Sequence, residues 1–542
     1  MKKLSTIFLL AAAVFFGFDS EISAQGRLSG DIMTNVNFYR RDTNIGAFDN
    51  NLYDNYLSGG EAWLSLRYAD NKGFSARVRF DGFQNTNLLI PTSAYTAAGI
   101  GAFNLRKEFK KLTIEGGHIY DQIGSGILWR AYEDRGLLID NALFGLKLKY
   151  QLTDRLKVKG FTGQIKRRGE FTRYEPIVKA LNIETDFAVG EKGYNTLGVG
   201  ALNRTMDQSS IAGVVNSVNG LDSADRFVPK YNTHAGTIYN TLNYGAFTWF
   251  VEAAVKSNEA IAFNAEDIYT APGTSIYSTL GFAVNKLGIN AAIKRTENFV
   301  MRTSPNETAL NGLYNWQPII AQIRTQRVIA RYSPQSQDVS EQAANLNIFY
   351  NPTDKLGLNV SYTHINTLKD KIFPETTKLF REAWGEVEYR GFKKFIIHVG
   401  AQYMEYNQEL YQIEADAPIV IAFTPFTEVV YKIDKKHSLR VEAQYMETKQ
   451  DYGSWLFGLL EYNISPKWSF AVTDMYNIKP SGINGEGREP THYPNVFVAY
   501  TKGPHRFTGQ YVKQVEGINC TGGVCRFEPA FSGFKFGMTS SF

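Results

Sequence analysis

The feature that most constrains this chain is a two-residue alternation of apolar and polar side chains that recurs along its length. Leu356, Leu358, Val360 and Tyr362 alternate with Gly357, Asn359, Ser361 and Thr363. Phe395, Ile397, Val399, Ala401 and Tyr403 alternate with Ile396, His398, Gly400 and Gln402, and Leu439, Val441, Ala443 and Tyr445 with Arg440, Glu442 and Gln444. Successive side chains of a strand point to opposite faces, so this period builds sheet with one apolar and one polar face. Many of these segments end in Tyr, Phe or Trp. One face of a soluble sandwich would alternate in the same way. Sustained over more than 500 residues behind an export signal, the pattern better fits a transmembrane β-barrel, with lipid outside and aromatic girdles at both interfaces.

The first residues read as that signal. Lys2 and Lys3 precede an apolar or small run, Ile7 to Phe18, too short to span a bilayer as a helix, and Ile22-Ser23-Ala24 is an acceptable cleavage site. Residues 1–24 are therefore expected to be a cleaved signal peptide, and residues 25–542 a single outer-membrane β-barrel domain. No cysteine follows the site, so no lipid anchor is expected there, and no later apolar run is long enough for a spanning helix. The signal carries two bases and two acids, so the formal charge stays at +5 and calls for no nucleic acid. A hydrophobic share of 44% excludes disorder, and two cysteines exclude a disulfide scaffold or a Cys-rich metal protein.

Turn spacing gives the strand number. Short polar breaks fall at 70–73, 110–111, 153–154, 190–193, 244–245, 285–286, 353–354, 391–394, 434–437, 465–467 and 502–505. Longer polar stretches lie between them, such as 41–59, 121–139, 206–231, 297–327, 477–492 and 513–531. Short periplasmic turns and long extracellular loops are the outer-membrane barrel layout. Eleven hairpins and one strand at each end predict an all-β antiparallel barrel of about 24 strands, in a range of roughly 20 to 26. Segments 178–189 and 328–351 alternate least clearly.

Pairing across the turns sorts the faces. The turn at Lys110-Lys111 sets Leu105 opposite Gly116 and Phe103 opposite His118 outside, and Arg106 opposite Glu115 inside. The hairpin at 71–73 pairs Leu66 with Val78 outside and Arg67 with Arg77 inside, with Arg79 beyond. A hairpin centred on Thr153 puts Lys149 opposite Lys157 and Lys147 opposite Lys159, all inward, because an outward Lys or Arg costs about 2–4 kcal/mol at the bilayer midplane. These bases form a lumen basic wall. Acids gather farther along, with Glu382, Glu386 and Glu388 on one strand and Glu428 and Glu442 nearby, on strands that lie roughly across the barrel.

The end of the chain adds its own signal. Phe534, Phe536, Met538 and Phe542 alternate with Lys535, Gly537, Thr539 and Ser541, and the chain ends on the aromatic. This resembles the signal that the bacterial barrel-assembly machinery reads, which implies that machinery as a partner during biogenesis, alongside outer-membrane lipid. The whole architecture resembles the large outer-membrane β-barrels of Bacteroidota, including an uncharacterised family of this size. That resemblance implies a place in the cell outer membrane. No long stretch before the first strand is available as a plug of the kind found in proteins resembling TonB-dependent transporters, and no peptidoglycan-binding domain is expected after Phe542. At 24 strands the backbone diameter is on the order of 45 Å. Loops must then fold inward, or a partner must fill the lumen, or the barrel must flatten.

Motifs for catalysis are missing. No P-loop, HExxH, EF-hand or GxSxG stands in a suitable context, and the seven histidines are scattered, so no catalytic, cofactor or metal residue is expected. Gly124-Ser125-Gly126 reads as a loop bend. Glu386 is expected opposite His398 as a polar lumen pair. The loop carrying Asp42, Asp49, Asn50, Asn51, Asp54 and Asn55 reads as solvated, with a calcium site as the alternative. Cys520 and Cys525, four residues apart in an exported loop, are expected to form a disulfide; a metal site or free thiols are the alternatives. Two functions compete, with an outer-membrane enzyme third. One is a channel or porin-like transporter for polar solutes, with the basic wall favouring anions. The other is a non-conducting accessory subunit of a larger outer-membrane assembly, with a protein partner. The wall charge has its own alternative, neutralisation by inward-folded acidic loops.

Overall fold

The computed structural model describes residues 26–262, 268–307, 311–336, 340–369, 375–521 and 524–542. The expected signal peptide, 1–24, lies outside the described residues. Twenty-four antiparallel strands form one continuous sheet in which each strand pairs with its neighbours in sequence. The first strand, Gly26–Tyr39, pairs with the last, Phe531–Ser541, and closes the ring. A closed sheet leaves no unpaired edge, which is what lets strands cross hydrocarbon. Each of the eleven short breaks in the sequence falls between two paired strands, from Asp70/Phe74 to Lys502/His505.

The outer face is an apolar belt. Ile238, Val255, Ile276, Ile293, Val360 and Val399 all project from it and are exposed. At the turn end it carries aromatics, including Tyr150, Tyr244, Tyr350 and Trp468. Exposed apolar surface on this scale is lipid-facing surface. His118 looks outward by register yet is buried, because Phe103, Phe144 and Tyr174 enclose its ring and Tyr174 Oη lies 3.1 Å from its Nε2. Lys107, outward but next to a turn, donates to the Lys72 carbonyl at 2.7 Å.

Tight turns give the expected register, and longer ones do not. Leu66 faces Val78, Arg67 faces Arg77 and Arg106 faces Glu115. The hairpin expected on Thr153 is centred on Asp154 instead, so Lys149 faces Lys159, Lys147 faces Phe161 and Lys157 faces Gln151. Glu388, not Glu386, stands opposite His398. Both slips are of two residues, because each turn contains more residues than the minimal hairpin. A slip of two preserves the face of every side chain, so the lysines and glutamates still point inward.

Inward side chains change character along the barrel. In Ile419–Lys432 the residues Val420, Ala422, Thr424 and Phe426 are buried, while Glu428 near the turn is half-buried. In Glu341–Thr353 the residues Glu341, Ala343, Asn345 and Asn347 are buried at the loop end, and burial is lost toward the turn. The long loops therefore fill the half of the lumen next to them. The turn half is left as a polar vestibule whose wall includes Glu386, His398, Glu428, Arg440 and Glu461.

Candidate functional site

Two loops make most of the filling. Loop 120–142 bends inward at Gly124-Ser125-Gly126, where Gly124 has φ +56 and a Cβ would lie 2.7 Å from the Glu252 carboxylate. That close approach lets the Ser125 amide donate to Glu252 Oε2 at 2.7 Å. Beyond the bend, Ile127, Leu128 and Trp129 are fully enclosed with Phe299, Met301 and Tyr314 of loop 298–340, against Phe161, Val178 and Leu202 of the wall. The ring centre of Trp129 lies 5.2 Å from that of Phe161 and 5.8 Å from that of Tyr314. Farther along the same loop, Ile320, Val328 and Tyr332 join a second cluster with Met404, Tyr406, Trp455 and Phe531.

Loop carboxylates meet the basic wall. Arg77 pairs with Glu133 at 3.0 Å. Arg79 pairs with Asp81, Glu133 and Asp140 at 2.7, 2.7 and 2.6 Å. Lys147 and Lys159 converge on Asp121 at 3.1 and 2.8 Å, and Lys147 also reaches Glu115 at 2.6 Å. Arg67 pairs with Asp31 and Lys157 with Asp186, both on strands. Lys149 is exposed and has no ion pair among the described residues. Burial opposes the Asp121 charge, but Lys159 and Lys147 outweigh it and hold this carboxyl below the ordinary range. Lys166 and Arg79 do the same for Asp140, and Arg79 and Arg135 for Glu133.

On the opposite wall the acids are also engaged. Glu382 takes a two-point contact from loop residue Arg324, at 3.1 and 2.7 Å, with the guanidinium 4.2 Å from the centre of the Trp384 ring. His398 reaches Glu386 at 3.2 Å and Glu388 at 3.9 Å. Arg440 gathers Glu428, Glu442 and Glu461. The Asn/Asp loop makes ordinary contacts: Asp42 pairs with Lys513, Asp54 with Arg41, and Asn50 caps Leu52. No group of three or more metal-ligating side chains occurs among the described residues. Phe534, Phe536 and Phe542 lie exposed on the outer face of the closing strand, and the Phe536 ring is 6.0 Å from that of Phe38. Cys520 and Cys525 face each other in backbone register across a hairpin, Gly517–Thr521 with Val524–Glu528; their side chains lie outside the described residues.

Sequence reasoning missed the strand groups that hold loop 298–340. In Phe247–Ala262 the register shifts between Lys256 and Glu259. This irregularity turns two positions of unlike parity to the same side. Glu259 then joins Lys256 and the buried Arg204, the latter at 2.8 Å. The two cations donate onward to the loop carbonyls of Val300 and Arg302, both at 2.8 Å. Lys294 pairs with Glu341 and donates to the Pro318 carbonyl at 2.8 Å. The signal for these residues was a charge at an inward position in the loop half of a strand, where only a partner from a loop could satisfy it.

Among the cavities that the loops leave, two stand out. One of about 590 Å³ is lined by Asn141, Lys166, Arg167, Arg168, Ser209 and Glu307. Arg168 donates to the backbone carbonyls of Leu88, Leu137 and Leu138. Burial and the nearby Arg526 charge push its pKa down to about 10. The other cavity, about 400 Å³, includes Arg324, Arg327 and Arg331 in its lining.

Residues 1–542 match the model of a family of unknown function, DUF6029. The chain belongs to that family. No curated protein matches this DUF6029 chain. Among solved structures it is similar to the siderophore receptor PirA from Pseudomonas aeruginosa, at 10% identity over 95% of this chain and 80% of that one, TM-score 0.43. It is also similar to the P pilus usher PapC translocation pore, at 9% identity over 95% and 99%, TM-score 0.45. PirA from Acinetobacter baumannii is a third, at 7% identity over 96% and 81%, TM-score 0.41.

Proposed function

We propose that this protein is a porin-like outer-membrane channel for polar solutes, kept closed at rest by its own inward-folded loops. The carrying observation is the division of the lumen. A barrel this wide would leak most small solutes if empty. The loops reduce its loop half to polar cavities of about 590 and 400 Å³, the size range of sites for small molecules. The turn half stays a charged vestibule. Anions are the favoured class, because Lys149 on the wall and Arg167 at the larger cavity are exposed and have no ion pair among the described residues. The role is transport rather than catalysis.

One observation favours the second reading, a silent accessory barrel. Trp129, Phe299, Met301 and Tyr314 are enclosed as completely as the core of a soluble domain. Single-channel recording of the isolated protein separates the two. The transport reading expects brief openings that lengthen in the Lys147→Gln, Lys159→Gln double variant, in which Asp121 loses both partners. A folded barrel that is silent in both forms, and is recovered with other outer-membrane proteins, overturns the transport reading.

A further inference from the structure

Among the cations of loop 298–340, Arg327 is the odd one. Its neighbours are occupied: Arg324 by Glu382 and Trp384, Arg331 by Asp451 at 3.4 Å and by the Trp455 ring at 4.7 Å. Arg327 has no hydrogen bond or ion pair among the described residues, and its exposed side chain lines the smaller cavity. The protein around it and the Arg331 charge lower its pKa, the signature of a charge short of a counter-ion. The cavity's carboxylates do not supply one. Asp451 accepts from Tyr332, Gln408 and Asn484 at 2.6, 3.0 and 2.9 Å. Glu516 accepts from Tyr452 at 2.7 Å, and Glu414 from Gln408 and Asn484 at 2.5 and 3.2 Å. The buried Nε of Arg331 also lacks an acceptor.

Beside these polar groups the lining carries three exposed apolar side chains. Ile323, Ile413 and Phe527 are 46%, 93% and 41% exposed. Ile413 also sits at φ +57, where a β-branched residue is strained. The helix end over-determines it, with the Ile413 amide donating to the Glu409 carbonyl, and strain held in this way clusters at functional sites.

We propose that this cavity binds an organic carboxylate, with its anionic head on Arg327 and its apolar body against Ile323, Ile413 and Phe527. The proposal deepens the transport reading by naming a solute class, and rests on it for the route by which the solute arrives. The test is calorimetric titration of the purified barrel with benzoate. The expected result is saturable binding that weakens at least about tenfold in Arg327→Gln, the loss of one charge-assisted contact, and that also weakens in Ile413→Asn, with both variants retaining folded mobility on unheated gels. Inorganic phosphate is expected to bind more weakly than benzoate. No benzoate binding to the folded wild type, equal binding by Arg327→Gln, or phosphate binding as tightly as benzoate each overturns it. Recording from the same preparations keeps the two readings apart: benzoate binding in a barrel that never conducts leaves the site standing and removes transport, while conduction without benzoate binding removes the site alone.

Discussion

Glu259→Gln should unlatch the lumen without opening the sheet. Glu259 is the one carboxylate that Arg204 and Lys256 share among the described residues, and the three side chains are 4%, 1% and 0% exposed. Glutamine keeps the shape and removes the charge, leaving two buried cations uncompensated. Breaking a buried ion pair costs about 3–5 kcal/mol, because the remaining charge keeps its desolvation penalty. The cations can recover hydration only by leaving the carbonyls of Val300 and Arg302, which frees the start of loop 298–340. At 1.4 kcal/mol per tenfold, the released state should gain roughly a hundredfold to a few thousandfold in population. Brief proteolysis of intact barrels should then nick loop 298–340 much faster than in wild type, and single-channel records should show longer openings. The backbone pairing of Phe247–Ala262 does not use the carboxylate, so unheated gel mobility should be unchanged. A folded variant whose nicking rate and conductance match wild type would refute the latch.

Acid should act late on the same assembly. Asp121, Glu133 and Asp140 have folded pKa values below the ordinary carboxylate range. Their contribution is therefore complete above the unfolded values of about 3.9–4.3 and is lost as pH falls through the lower, folded ones. Conductance and loop nicking should stay constant from pH 7 to 5 and rise only below about 4; a rise already between pH 7 and 5 would sink this account. Native protein without reductant should show no thiol reactive to maleimide, since Cys520 and Cys525 face each other across two strands of a hairpin. Two labelled thiols would end the disulfide.

The fold was legible because a period of two and a polar break are local signals. Each of the eleven hairpins could be found from a few residues, and barrel closure then followed from the number of faces to hide. Register was legible only to parity: the turns around Asp154 and Lys393 are longer than minimal, which moved Lys149 and His398 by two positions and left them on the expected face. The site was much less legible. Arg79 meets Asp140, and Arg324 meets Glu382, across 61 and 58 residues of chain. No short-range pattern records such meetings. Lys256 and Glu259 escape a sequence reading for a different reason, since alternation puts them on opposite faces until the register shift is known.

The seam between the first and last strands has a consequence for timing. Asp31 pairs with Ser541, and the backbones of Gly30 and Phe542 exchange hydrogen bonds of 2.8 and 3.0 Å. The two partners stand about as far apart in the chain as any two residues can. Every other junction of the wall joins consecutive strands and can form as the polypeptide is delivered; this one must wait for the strand Phe531–Ser541. Until then the growing sheet has two raw edges, each able to recruit a stranger. The strand that carries Phe534 and Phe536 is thus the one that ends the exposure, so a delivery interrupted before it should yield an aggregation-prone open sheet rather than a narrower barrel.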